Sequence, residues 1–449
     1  MSGRIVVFPF HGQGHLFPCT ELCFRLAARN HNITLLLPSP AFSSSALHNH
    51  PHIQISFLQE EEDEGENKQQ GPPPPPFPPN PALTTEPLLR FLHRHQDPIC
   101  AAIVDVMMSW SIETFSEFKI PTFSFFTSGA CSAAMEFGLW KLHPLNPTLS
   151  GQPQIIKIPS LPESVSLTLA DLHHQPPPPP LHSRHQHRPP PPHAATRPVW
   201  LHPREGFHPV RLLRLLRDRG GRRRGWQKLR AREIRSGPKR ESNVSEEEVS
   251  QWLDQQQRGS VIYVAFGTEV GPSKGELEGL AVALEKSNRP FIWTIQDTEE
   301  DSEFFPTSEE EERKGKGLFI RGWAPQLMIL SHPSTGGFVT HCGWNSITEA
   351  LGRGVPLLAW PIRGDQHYNA KLVSGHLKVG LMVRSTGDGA TTVTSDDIIR
   401  GIEKLMADDE TRSRAASIRS IFECGFPSSS EASLDAFTDH VHGISQQNS

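Results

Sequence analysis

Short unbroken apolar runs and amphipathic stretches alternate along this chain. RIVVFPF (4–10), ITLLL (33–37), IQISFL (53–58), CAAIVD (100–105) and PTFSFF (121–126) have the length and the β-branched or aromatic content of strands covered on both faces, as in a parallel sheet. Between the first two, Leu16, Cys19, Leu22, Cys23 and Leu26 recur at helical spacing. A helix stub is expected near 41, another helix over 83–95, and a further one opening at Thr127. The alternation resumes at Glu241. Ser245, followed by three glutamates, caps a helix over 245–253; 259–268 is a strand, 273–287 a helix and 290–295 a strand. LFIR (318–321) leads on to further strands at GGFVT (336–340), LLAWP (357–361) and VGLMV (379–383), and helices are expected over 396–407, 410–424 and 430–442. Such alternation predicts an α/β architecture with parallel sheets, in two separate stretches.

The stretch from Trp323 to Gln366 carries the densest chemistry. Its run GGFVT passes through a turn into a helix expected to start at Ser346, so His341, Gly343, Asn345 and Ser346 lie where a strand hands over to a helix N-terminus. Unpaired backbone N–H groups and the positive end of the helix dipole make such a junction an anion site. Gly336, Gly337 and Gly343 are expected to admit a ligand close to the backbone. Trp323 offers a flat face for a base ring. Glu349, one turn into the helix on the side of Ser346, is placed to accept two ribose hydroxyl hydrogens. Asp365 and Gln366, after the LLAWP strand, offer acceptors to sugar hydroxyls. In the other half, HGQGH (11–15) follows the first strand and puts His15 at the mouth of the first helix, while Asp105 ends another strand. Open α/β sheets bind ligands at that edge. A lone loop histidine is more often structural than catalytic, and a strand-end Asp more often caps the next helix.

WAPQ (323–326), HCGWNS (341–346), Glu349, GVP (354–356), WP (360–361) and Asp365-Gln366 together resemble the signature box of plant family 1 UDP-glycosyltransferases, and PFHGQGHL (9–16) resembles that family's opening motif. The resemblance covers 4–172 and 241–445. It implies the GT-B fold: two Rossmann-like domains facing across a cleft. Residues 1–240 would form the acceptor-binding domain, 241–428 the UDP-sugar-binding domain, and 429–449 a helix returning to the first. It implies that Trp323 stacks on uracil with Ala324 and Gln326 beside it, and that His341, Asn345, Ser346 and the Thr268 hydroxyl hold the diphosphate. Glu349 would take the ribose, while Trp344, Asp365, Gln366 and Thr127 border the sugar. His15 would be the general base, its tautomer and charge supported by Asp105 as in a His–Asp pair. The donor implied is a UDP-sugar, with glucose favoured by Gln366, and the acceptor a hydroxyl on a small hydrophobic metabolite of flavonoid or phenolic type. Transfer would invert the anomeric centre, with no cofactor or metal, in a cytoplasmic monomer. A non-catalytic relic retaining the box is the alternative; a Rossmann oxidoreductase is disfavoured because no G-x-G-x-x-G follows either first strand.

Composition changes this picture in one place. A net charge of −5 gives no reason to expect nucleic acid, and none of the six cysteines forms a CxxC pair, which suits free thiols in a reducing compartment. No apolar run is long enough for a membrane span. The acidic and proline-rich stretch 60–80 and the acidic run 297–312 read as solvated loops. Residues 173–240 break the pattern: a Pro- and His-rich tract runs into the Arg-rich VRLLRLLRDRGGRRRG. An irregular metal-binding tract and a basic amphipathic helix are two readings. A shifted reading frame in GC-rich DNA is the third and preferred one, since Pro, His and Arg share CCN, CAY and CGN codons.

Overall fold

The computed structural model describes residues 3–38, 50–58, 81–95, 97–142, 155–157, 161, 166–168, 242–267, 270–295, 317–383, 392–422 and 428–447. The helix stub near 41, the loops at 60–80 and 297–312, and the whole of 173–240 lie outside the described residues.

Two parallel sheets organise the chain. In the first, β1 (Arg4–Phe8), β2 (Asn32–Leu37), β3 (Ile53–Phe57), β4 (Ile99–Asp105) and β5 (Thr122–Phe125) lie in the order β3-β2-β1-β4-β5. Helix α1 (Gln13–Ala27) follows β1; α2 (Pro81–Arg94), the short α3 (Ser111–Glu117) and α4 (Ala130–Leu142) complete this half. The apolar runs are strands because both faces are covered. Ile5 and Val7 pack with Leu16, Cys23 and Leu26 of α1 on one side, and Val6 and Phe8 with Leu88 and Phe115 on the other.

The second half opens with α5 (Glu246–Asp254), closed at its start by the capping box that Ser245 and Glu248 predict. Its strands are β6 (Val261–Ala265), β7 (Phe291–Ile295), β8 (Gly317–Arg321), β9 (Thr335–Thr340), β10 (Leu357–Ala359) and β11 (Gly380–Met382), in the order β8-β7-β6-β9-β10-β11. Helices α6 (Lys274–Lys286), α7 (Gln326–Ser331), α8 (Trp344–Arg353), α9 (Gln366–Lys371), α10 (Ser395–Ala407) and α11 (Asp409–Phe422) cover it.

The last helix, α12 (Ser428–Gln447), lies against the first sheet rather than the second. Leu434, Phe437 and Val441 are buried among Ile5, Leu26 and Phe123, with the Phe437 ring edge-on to Phe123 at 5.2 Å. Arg29 at the end of α1 pairs with Glu431 and, at 2.8 Å, with Asp435.

In both sheets the chain runs outward through three strands and then returns beside the first. β4 pairs with β1, and β9 with β6. A crevice opens at the carboxyl ends of strands where the winding reverses, so the loops after β1 and β4, and after β6 and β9, are where each sheet presents a ligand site.

Candidate functional site

At the first switch point His15 is the third residue of α1, and Asp105 is the last of β4. The His15 Nδ1 lies 2.9 Å from Asp105 Oδ2 and 2.8 Å from Thr127 Oγ1. Asp105 is almost fully buried, and its other oxygen accepts from the Met107 backbone N–H at 2.9 Å, capping a turn of 3₁₀ helix. Capping and the pairing with His15 therefore coexist on this carboxylate, one on each oxygen. An ionised carboxylate only accepts, so Asp105 selects the tautomer with hydrogen on Nδ1. The basic lone pair is then on Nε2.

At the second switch point α8 begins at Trp344, two residues before the start expected at Ser346. No side chain caps its first turn, and its N-cap is Gly343. Cys342, just before it, holds a left-handed φ of 67°, uncommon outside glycine, and is fixed by its N–H on Thr340 Oγ1 at 3.3 Å and by Asn369 Nδ2 donating to its carbonyl at 3.2 Å. A Cβ on Gly343 would come within 2.5 Å of His341 Nε2, and one on Gly267 within 2.7 Å. These two loops therefore enclose the imidazole between backbone segments. Burial pushes the His341 pKa down to about 4, so at neutral pH it is an uncharged hydrogen-bonding group. A helix dipole alone stabilises an anion by about 0.3–1 kcal/mol, so directed N–H groups have to supply most of any grip on a diphosphate. Thr268 lies outside the described residues.

Gly336 and Gly337 do not serve a ligand, contrary to the expectation from sequence. Both are inside β9, where a Cβ would meet the Gly259 carbonyl at 2.1 Å in the first case and the Leu405 and Met406 side chains in the second. Gly336 admits the backbone that leads into β6, and both admit side chains of α10.

Around the base and ribose positions, Trp323 is 38% exposed, one of two large apolar side chains so open among the described residues. Ala324 packs against the core of this half. Gln326 is a link rather than a free polar edge. Its Oε1 accepts from Tyr263 Oη at 3.1 Å, and its Nε2 donates to Glu349 Oε2 at 2.8 Å and Ser346 Oγ at 3.2 Å. Burial raises the Glu349 pKa, opposed by Gln326 and Arg353. Tyr263 sits inside an apolar strand, and no sequence signal marks it as part of this network.

The two halves meet at the sugar positions. Ser128, from the loop between β5 and α4, donates to Asp365 Oδ2 at 2.5 Å. The same oxygen accepts from Asn369 Nδ2 at 2.9 Å. The next residue, Gly129, lies so close to Trp344 that a Cβ would be 2.7 Å from the indole. Burial raises the Asp365 pKa, countered by Ser128 and Asn369 and then by the nearby His15 imidazole. Gln366 departs from expectation: its Oε1 accepts the Ile362 and Arg363 N–H groups at 2.9 and 3.0 Å, which fills both lone pairs. It has only its amide hydrogens to offer a sugar. Helix α4 starts at Ala130 rather than Thr127 and carries Glu136, partly buried, whose pKa is pushed up to about 7 by burial and then by Asp365.

A histidine–carboxylate pair on one parallel sheet, facing an uncapped helix terminus on another, belongs to the GT-B arrangement. Residues 239–423 match the family model for UDP-glucoronosyl and UDP-glucosyl transferase. The chain is 33% identical over 358 residues to UDP-glucosyl transferase 73M2 of Saponaria officinalis, spanning 75% of this chain and 72% of that one. It is 29% identical over 467 residues to UDP-glycosyltransferase 89A2 of Arabidopsis thaliana, across 96% and 94% of the two chains. Among solved structures it is similar to a UDP-glucosyltransferase from Polygonum tinctorium capable of glucosylating indoxyl, with TM-score 0.68 and 26% identity over 99% of this chain and 98% of that one. The chain belongs to the plant family 1 UDP-glycosyltransferases: it transfers a sugar from a UDP-sugar co-substrate to a plant metabolite.

Proposed function

We propose that the protein transfers glucose from UDP-glucose, with inversion, to a hydroxyl of a small hydrophobic plant metabolite of phenolic type. The observation that carries this reading is the His15–Asp105 pair at 2.9 Å, with the imidazole close enough to Asp365 of the other half to act on its charge. His15 Nε2 takes the acceptor proton. The acceptor oxygen attacks the anomeric carbon from the face opposite the nucleotide. As that bond forms, the anomeric C–O bond to the β-phosphate breaks and its electron pair leaves with UDP. The negative charge grows beside Asn345, Ser346 and the α8 terminus, with His341 as a neutral partner and Thr268 completing the cradle. Asp105 stabilises the imidazolium that forms. Trp323 stacks on uracil with Ala324 and Gln326 beside it, and Glu349 keeps Oε1 for the ribose. Trp344, Asp365, Gln366 and Thr127 border the hexose. Residues 1–240 form the acceptor half and 241–428 the donor half. The uninterrupted pair argues against a non-catalytic relic, and free thiols at Cys19, Cys23, Cys100, Cys131 and Cys342 suit a reducing, cytosolic setting.

The test is a panel of phenolic acceptors with UDP-glucose, UDP-galactose and UDP-xylose, read by product mass and anomeric coupling. A β-glucoside from wild type, with His15→Ala losing transfer by at least about 100-fold while UDP affinity stays within about two-fold, is the expected result. Loss of UDP binding in that variant, or an α-linked product, overturns it.

A further inference from the structure

Three consecutive residues of the first half touch the machinery in turn. Thr127 reaches His15, Ser128 reaches Asp365, and Gly129 lies under Trp344. The last two contacts cross from one half of the molecule to the other, onto two of the three second-half side chains that border the sugar in the reading above. We propose that Ser128 and Gly129 form a positioning clamp for the donor sugar, Ser128 fixing the rotation of the Asp365 carboxylate and Gly129 the seat of the Trp344 ring. This rests on the proposed UDP-sugar site.

The geometry explains why these residue types are needed. Asp365 Oδ2 already receives two hydrogens, from Ser128 and from Asn369. That leaves Oδ1 to meet a hexose hydroxyl and fixes the direction from which it does so. Asn369 also donates to the Cys342 carbonyl, so the carboxylate is braced against the loop that opens α8. Without the Ser128 hydroxyl, Asp365 keeps its link to its own half and loses the one to the other. Any side chain at 129 has to displace the indole, because a bare Cβ already overlaps three of its carbons, at 2.7, 2.8 and 2.9 Å. Sugar selection is therefore shared between the halves, although nucleotide recognition is confined to the second. The hydroxyl configuration that Asp365 accepts depends on a serine more than two hundred positions earlier in the chain.

Equilibrium binding tests this without knowledge of the acceptor. UDP and UDP-glucose are titrated separately into wild type, Ser128→Ala, Ser128→Thr, Gly129→Ala, Asp365→Asn and the Ser128→Ala/Asp365→Asn double variant. The clamp requires UDP-glucose affinity to fall about 10-fold or more in Ser128→Ala and Gly129→Ala, with UDP affinity within about two-fold of wild type. Ser128→Thr, which keeps the hydroxyl, returns most of the loss, and the double variant is no weaker than Asp365→Asn alone. Equal losses for both ligands, or additive losses in the double variant, overturn the clamp. A wild-type protein that binds neither ligand overturns the nucleotide site itself, a separate outcome. Ser128→Cys, close in size and a weak donor, replaces Ser128→Ala if the alanine variant does not melt cooperatively.

Discussion

At the scale of single residues, the site works by dividing side-chain atoms between duties. Asp105 gives one oxygen to the backbone of Met107 and one to His15. Asp105→Asn keeps the first duty, since the amide oxygen still accepts. Its amide N–H₂ then faces Nδ1 and favours the opposite tautomer, with hydrogen on Nε2 where a base needs a lone pair. Turnover is expected to fall by about 10²–10⁴-fold, with melting temperature and UDP affinity near wild type. Single-turnover transfer assays and calorimetry check this, and unchanged turnover removes Asp105 from the mechanism. The same division of atoms explains what was legible in the sequence. Trp323, Glu349 and Asp365 could be named as candidates because chemistry and order along the chain mark them, and His15 and Asp105 only through the resemblance to the family's motifs. The commitments of their atoms could not. Gln366 reads as an acceptor until its oxygen is seen to hold the 362–363 turn, and Gln326 as a ligand edge until Tyr263 and Glu349 are seen to occupy it. Ser128 and Asn369 carry no mark at all, since a serine and an asparagine near helix starts suggest only caps.

At the scale of elements, most strands and helices followed from hydrophobic period, with ends displaced by up to five residues. The helix boundary at Trp344 moved because backbone geometry and not capping chemistry sets it. The short α3, α7 and α9 were not readable, being too brief to show a 3.6-residue period. The glycines of β9 were misread for a related reason: a glycine required by a neighbouring helix looks the same in sequence as one required by a ligand. Helix α12 shows where an element's energy lies. Its 20 residues lie against the first sheet, and Phe437 is its large anchor. Phe437→Ala is expected to cost about 3 kcal/mol of unfolding free energy. Urea unfolding measures it, with UDP affinity expected to stay within about three-fold because the residues proposed to hold the nucleotide belong to the other sheet. A cost under about 1 kcal/mol would mean that the helix is held by its Arg29 pairs instead.

At the scale of the whole molecule, two buried titratable groups leave opposite marks on stability. The His341 pKa is about 4 when folded against 6.5 ordinarily. Between those values the unfolded chain binds the proton and the folded one does not, so its contribution is present above pH 6.5 and is lost as pH falls toward 4. The Glu136 carboxyl is pushed from 4.5 up to about 7. There the folded chain keeps the proton longer, so stability is full below pH 4.5 and is lost as pH rises through 7. Glu136→Gln should therefore match wild type near pH 4 and exceed it by about 3 kcal/mol above pH 7, while His341→Asn should match wild type above pH 6.5 and exceed it increasingly as pH falls toward 4. Urea unfolding at half-unit pH steps reads both differences, and a Glu136→Gln advantage that does not grow with pH refutes the first. The gross architecture was visible in the sequence because each half repeats one winding rule. How the halves touch was not, because contacts such as Ser128 with Asp365 join positions that no local pattern relates.

The placement of α12 bears on how such enzymes can be recombined. A hybrid joined at residue 241 takes its terminal helix from the donor-binding parent, yet that helix must fit the other parent's first sheet. Its acidic pair has to find an arginine where Arg29 stands, and its aromatic anchor a ring where Phe123 stands. Chimeras with a second junction before Ser428, returning the tail to its original parent, should therefore express as stable protein where single-junction ones precipitate.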